Sequence, residues 1–411
     1  MRVNVAVIGA GPAGLAAAIA AKESGAEDVV VIDREMTLGG ILPQCIHSGF
    51  GLKIFEEELT GPEYAARFAE KARACGVLLM TETMVLDISK DRVITAAKRE
   101  YGMVMIEAGA IVLATGCRER TAGALMIPGD RPSGVLTAGT AQRFVNIDGY
   151  LPGKEVVILG SGDIGLIMAR RMALEGAHVK MVTELMPYPG GLARNIMQCL
   201  CDFGIPLKLS HTVTRIHGRK RLEGVTITAV GKDLKPVSGT DTYVSCDTLL
   251  LSAGLIPENE LARGIGAKID PLTGGPAVDS GMQTTCPGIF ACGNTVHVHD
   301  IADFVTEEAM RAGWTAVAYL KDGNVKEHVL AAAGDGVKYV VPQRLLKDGH
   351  DKTLFFRTAG VYKNCRTVAV CGGQIIADKR RAKCSPSEME TLTLCKGDIV
   401  GNVTVYIKED T

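Results

Sequence analysis

Two glycine clusters carry the most chemistry in this sequence, because their backbone rather than their side chains does the work. The first is Gly9, Gly11 and Gly14; the second is Gly160, Gly162 and Gly165. In each GxGxxG the first glycine permits a tight turn after a strand. The second lets the backbone approach a pyrophosphate, and the third lets helix and strand pack closely. The helix that follows aims its free amides and partial positive charge at the phosphates. A carboxylate lies 19 residues beyond each third glycine, Asp33 in one case and Glu184 in the other. That offset suits an acceptor for ribose hydroxyls. Glu184 would repel a 2′-phosphate, and no Arg or Lys follows it until Arg194. The second site is therefore expected to take NAD(H) rather than NADP(H).

The elements that must hold these turns repeat the same plan. Residues 3–33 and 154–184 each read as a β-branched run, a glycine turn, a helix, a glycine and a second β-branched run ending in the carboxylate. This is a βαβ unit written twice. Between them, residues 60–75 have helical spacing with Thr60 as a cap, and residues 92–107 alternate like a small antiparallel sheet. Buried strands are expected in EAGAIVLATG up to Gly116, in CDTLLLSAG up to Gly254 and in GIFACGN at 288–294. A helix over 301–320 carries Trp314. From about residue 331 alternating stretches such as KYVV, KTLFFR and GNVTVYI suggest a small β-rich module.

Composition removes several classes. The 411 residues suffice for two or three domains. A formal net charge of −1 and 5% aromatic residues give no reason to expect nucleic acid or an anionic membrane surface. The apolar run at 3–21 is broken by Gly9, Gly11, Pro12 and Gly14 and has no basic region beyond Arg2. It is read as strand, turn and helix rather than export signal or membrane span. The 12 cysteines do not form a secreted framework, so a cytoplasmic location with mostly free, buried thiols is expected.

With both fingerprints, the ATG of Ala114, Thr115 and Gly116, SAGLIP at 252–257 and TCPGIFACGN at 285–294, the sequence resembles the FAD-dependent pyridine-nucleotide oxidoreductases of glutathione and thioredoxin reductase type. The resemblance covers residues 3–320. It implies an α/β protein with two Rossmann-like dinucleotide-binding domains of three-layer ββα type, the FAD domain discontinuous, plus a small β-rich C-terminal module. The expected boundaries are 1–118 and 256–330 for the FAD domain, 119–255 for the NAD domain and 331–411 for the module. Carried onto this chain, the FAD contacts implied are Gly9, Gly11, Pro12, Ala13, Gly14, Asp33, Arg34, Gly39, Gly40, Val85, Ala114, Thr115, Gly116, Gly293 and Asn294. Those implied for NAD are Gly160, Gly162, Asp163, Ile164, Gly165, Glu184 and Gly254. The family ends its last motif in Gly-Asp; here Asn294 replaces the Asp, keeping hydrogen bonds but no charge.

GGILPQCIHSGFG at 39–51, ELTGPEYA at 58–65 and ACGNTVHVHDIADFVTEEA at 291–309 resemble more narrowly the α-subunit-type flavoproteins. These accompany amino-acid, opine, proline, sarcosine or glycerol-3-phosphate dehydrogenase subunits. That likeness implies a small-molecule substrate and a partner dehydrogenase subunit or a homo-oligomer. The family's disulfide reductases need two cysteines at the flavin. Cys45 stands near the first position, but its CxxxxC partner position is Phe50. A dithiol mechanism is therefore not expected. A stand-alone oxidase or peroxidase using Cys45 stays open, as does a cofactor-holding scaffold role.

His297, His299 and Asp300 allow three readings: metal ligands, a proton relay near the flavin, or a helix start capped by Asp300. A third and fourth ligand are not evident in the sequence, so no metal is assigned. Cys45, His47 and His299 are the candidate catalytic residues. Cys365, Cys371, Cys384 and Cys395, spaced 6, 13 and 11 apart, read as strand cysteines of a small core rather than cluster ligands.

Overall fold

The computed structural model describes residues 1–324 and 327–409, so residues 410 and 411 of the C-terminal module lie outside it. In chain order the elements that matter here are β1 (Arg2–Ile8), α1 (Pro12–Glu23), β2 (Val29–Ile32), α2 (Gly61–Ala74) and β3 (Gly102–Leu113). Then come β4 (Glu155–Leu159), α3 (Asp163–Leu174), β5 (His178–Glu184), β6 (Thr248–Leu251), β7 (Ile289–Ala291) and α4 (Ala302–Asp322). The chain divides into two compact units, Met1–Cys117 with Pro257–Thr411, and Arg118–Ile256.

The first unit is built on a parallel sheet in which Leu78–Met80, β2, β1, β3 and β7 lie side by side. Its central strands read VAVI, VVVI and AIVL and are buried on both faces, which is why they lack alternation. Strand β3 is longer than its sequence texture suggests. Its first half pairs antiparallel with Val93–Lys98, which pairs with Thr83–Ile88, and its second half joins the parallel sheet. The predicted small sheet at 92–107 and the predicted buried strand after it are thus joined by one continuous 12-residue strand. Helices α1 and α4 pack closely: a Cβ on Gly313 would lie 2.2 Å from the Ala17 carbonyl oxygen. The predicted helix at 60–75 is α2, and Thr60 caps it in a capping box with Glu63.

The C-terminal strands have a core of their own, with Leu345, Leu354, Phe356, Leu394 and Val405 buried together. They also join the first unit's core through Tyr339 and Val341. The Gln343 side chain accepts from the Val278 amide and donates to Asp270, and the Leu346 amide donates to Ser280. Cys365, Cys371 and Cys384 are buried and Cys395 is exposed. The Cys365 and Cys384 sulfurs lie 3.5 Å apart across two antiparallel strands.

The second unit repeats the plan with a parallel sheet ordered Val135–Thr137, β6, β4, β5 and Leu207–Leu209, and an antiparallel sheet of His211–His217, Gly224–Ala229 and Thr242–Ser245. Valines, leucines and an isoleucine of β4 and β6 are fully buried between layers. No helix among the described residues is long and apolar enough to cross a membrane.

Candidate dinucleotide sites and a buried histidine cluster

In the first unit the chain turns sharply between β1 and α1. Gly9 has φ +106°, and a Cβ there would stand 2.3 Å from the Ala114 carbonyl oxygen, so only glycine fits. A Cβ on Gly14 would lie 1.7 Å from the Gly9 oxygen. Gly11 caps α1 without a side chain, and Pro12 opens the helix. The amides of Ala13 and Gly14 therefore start α1 with no side-chain acceptor. Gly40, φ +59°, faces this turn so closely that a Cβ on it would sit 2.9 Å from the Gly11 Cα. A bare helix start flanked by side-chain-free backbone suits a pyrophosphate. Asp33, after β2, accepts from the Ala10 amide at 2.5 Å and from the Glu35 amide at 2.8 Å. Arg34 is exposed beside Glu35.

The ATG turn is tied down from a distance. Thr115 donates to the Glu258 carbonyl at 2.8 Å and meets the Thr295 hydroxyl at 3.2 Å; the Gly116 amide donates to the same hydroxyl at 2.9 Å. Thr295 was not singled out from sequence, although it follows Gly293 and Asn294 directly. The Asn294 side-chain oxygen accepts from the His299 amide, and its side-chain nitrogen contacts the Cys117 sulfur. Ala114 is buried after β3. Val85 is buried on its strand, 7% exposed, with its side chain in the apolar core.

In the second unit Gly160 has φ +99°, and a Cβ on it would lie 2.1 Å from the Ser252 oxygen. Gly162 caps α3, again without a side-chain bond, and Gly165 packs on Gly160 and Ser252. Ile164 sits in the first turn of α3, packed against that unit's core. Asp163 accepts from the Leu192 amide and the Asn195 side chain, so it holds the loop after β5 as well as the helix start. Glu184 is nearly buried. One oxygen accepts from the Ser161 amide at 2.9 Å and hydroxyl at 2.6 Å, the other from the Met186 amide. Ser161, a fingerprint residue overlooked in sequence, thus aims the carboxylate. Gly254, φ +95°, ends the stretch after β6.

Cys45 and His47 lie on the loop that leads into α2. The Cys45 carbonyl accepts from the Gly61 amide, and its thiol contacts the Ile41 carbonyl at 3.5 Å. Burial pushes the thiol up to about 12. His47 is half-buried; its Nδ1 lies 3.0 Å from the Ser48 carbonyl and its ring is 5.1 Å from Phe50.

His299 is elsewhere, in a buried cluster with His297 and Glu308. Glu308 is 1% exposed in its side chain, and its Oε2 lies 2.9 Å from His297 Nε2 and 3.3 Å from His299 Nε2. Its Oε1 accepts from the Gly293 amide at 2.7 Å. Burial alone would raise this carboxyl. The imidazoles of His299 and His297 outweigh that and hold it well below the usual carboxylate range. Burial, helped by His299, lowers His297. Asp300 does not cap α4: Ile301 holds that position with no side-chain bond. Asp300 instead pairs with Arg357 and accepts from the Met389 amide. The Arg357 guanidinium and the Met389 amide occupy the carboxylate instead, one as a charge pair and one as a hydrogen-bond donor.

Two βαβ units with side-chain-free helix starts, on ββα-layered domains, define a two-dinucleotide flavoprotein. The pyridine nucleotide-disulphide oxidoreductase family model matches residues 3–318, and the chain belongs to that family, whose members are FAD-dependent pyridine-nucleotide oxidoreductases. Among curated relatives, a subunit of the opine oxidase of Agrobacterium tumefaciens is 26% identical over 71% of this chain and 61% of its own length. The NADH oxidase of Methanocaldococcus jannaschii is 27% identical over 74% of this chain and 64% of its own. The chain thus spans under two thirds of the length of both relatives. Thioredoxin reductase of Streptomyces clavuligerus is 25% identical over 82% of this chain and 97% of its own. The solved thioredoxin reductase of T. acidophilum superposes with a TM-score of 0.64 at 24% identity, over 77% of this chain and 98% of its own, which establishes the fold.

Proposed function

We propose that this chain is an FAD-dependent NAD(H) oxidoreductase that relays electrons between nicotinamide, flavin and a second acceptor, as the electron-transferring subunit of a larger dehydrogenase. The observation that carries the reading is Cys45: a single thiol held protonated near neutral pH, with Phe50 where a dithiol partner would stand. Without a second cysteine at that position, the dithiol relay of the family's disulfide reductases is not supported, which favours a different electron acceptor. The likeness to the opine oxidase polypeptide, itself one subunit of an enzyme, supports a partner protein as that destination.

The residues divide the work. The α1 start, with Gly9, Gly11, Pro12, Ala13 and Gly14, binds the FAD pyrophosphate, and Asp33 accepts from the adenosine ribose. Gly39, Gly40, Thr115, Gly116, Gly293 and Asn294 shape the rest of that cradle. The α3 start, with Gly160, Gly162, Asp163 and Gly165, binds the second pyrophosphate. Glu184, aimed by Ser161, accepts from a ribose 2′-hydroxyl and repels a 2′-phosphate. Bound there, FAD would supply hydride acceptance and one- or two-electron transfer.

Anaerobic addition of NADH to FAD-loaded protein tests the reading: rapid bleaching of the flavin bands is expected, with NADPH much slower. Protein that stays yellow with either nucleotide is not this enzyme. Purification from the native source separates the partner reading from a stand-alone one. A stoichiometric dehydrogenase polypeptide should accompany the chain. The NADH oxidase likeness favours the rival reading, a self-sufficient oxidase or peroxidase at Cys45. Loss of peroxide turnover in Cys45→Ser, with bleaching intact, would establish it.

A further inference from the structure

We propose that His297, His299 and Glu308 form a binding site for one divalent first-row transition ion of the Zn2+ or Fe2+ type. The three side chains come from the turn after β7 and from α4, and their ligand atoms all lie within 4.8 Å of one another. The two imidazole Nε2 atoms stand 2.9 and 3.3 Å from one carboxylate oxygen. Atoms that bind one ion at about 2.0–2.2 Å are themselves separated by about 3–3.5 Å.

Hydrogen bonding alone does not account for the arrangement. His299 is 3.3 Å from Glu308 Oε2, yet neither of its ring nitrogens has an aligned hydrogen-bond partner. Its side chain is 0% exposed, so bulk solvent does not reach it. A buried polar group left so is costly, and a metal ion is a partner that needs no N–H alignment. His297 Nδ1 is also unpartnered.

The surroundings orient the set. The Gly293 amide holds Glu308 Oε1, leaving Oε2 turned to the two rings. Phe355 packs edge-on against both imidazoles, at 5.8 and 5.4 Å, and Tyr339 against His297 at 6.0 Å. The neighbouring Arg357 charge is matched by Asp300. Two imidazoles and a carboxylate suit Zn2+ or Fe2+ better than Ca2+ or Mg2+. The ion would tie the Gly293 turn to α4, and its binding energy would appear as folding stability.

The whole chain should be stripped with a chelator and titrated with Zn2+ and, separately, Co2+. Expected are about one ion bound per chain, a higher melting temperature, and Co2+ d–d absorption to the red of the oxidised flavin without thiolate charge-transfer bands. Glu308→Gln keeps an acceptor for the Gly293 amide, and His299→Ala removes one ligand; each should weaken binding at least tenfold, by analogy with the loss of supporting groups at metal sites. If folded wild-type chain takes up no stoichiometric ion, or both variants bind as it does, the three groups share a proton instead and the proposal fails. The wild-type titration decides even if a variant does not fold.

Discussion

The two glycine fingerprints share a spacing but differ in how tightly the fold depends on it. In the first unit a Cβ on the third glycine, Gly14, would stand 1.7 Å from a backbone oxygen; in the second, a Cβ on Gly165 would stand 2.7 Å from one and 2.8 Å from the Ser252 side chain. The carboxylates differ as well. Asp33 accepts from the amides of Ala10 and Glu35, whereas Glu184 is gripped by a serine amide and its hydroxyl and by Met186. Backbone amides alone set the Asp33 acceptor; at Glu184 a side chain, the Ser161 hydroxyl, adds to them. One motif is thus packed more tightly at Gly14 than at Gly165, and its acceptor is held differently in the two places.

The largest expected effect breaks the first turn. Gly14→Ala should cost about 4 kcal/mol or more, since a helix and a strand cannot both stay in place, and yield insoluble or flavin-free protein. Gly165→Ala should be milder, leaving FAD content intact and raising the KM for NADH. Equal collapse of both variants, read by circular dichroism and flavin content, would erase the contrast. Next in size, Glu184→Ala should lose charge-assisted bonds worth about 1.5–3 kcal/mol and lower kcat/KM for NADH by about tenfold or more. The gap between NADH and NADPH should narrow. An unchanged preference would remove Glu184 as selector. Ser161→Ala should act in the same direction at about 1 kcal/mol, without loss of the flavin spectrum.

The smallest effect is a reactivity. Burial raises the Cys45 thiol to about 12, so its reactive thiolate grows only as pH climbs towards that value. Near pH 8 the exposed Cys201 and Cys395 should be alkylated while Cys45 stays unmodified, read by peptide mass mapping. Fast labelling of Cys45 at pH 8 would revive the peroxidase reading.

The fingerprints were legible because each is local. Turn, helix start and carboxylate lie within one βαβ unit, and the steric need for glycine is written into residues 9–33 and again into 160–184. The Thr60 cap was legible for the same reason, whereas its reciprocal bond with Glu63 is a finding of the structure. Asp300 shows the limit. Its sequence position suggested a cap, but a guanidinium 57 residues away claimed it. The pairing of Thr295 with Thr115 and Gly116 spans about 180 residues and has no local signature.

The sequence by itself therefore determined the two nucleotide-binding turns, the α/β layering they require and the absence of a dithiol at Cys45. Only the tertiary structure decided that the HVHD histidines meet Glu308, that Ser161 aims Glu184 and that the C-terminal strands close over the histidine cluster through Phe355 and Tyr339. The reason is physical. Glycine turns are fixed by sterics within a few residues, whereas a buried charge chooses its partners from whatever the packed chain brings within a few ångströms of it.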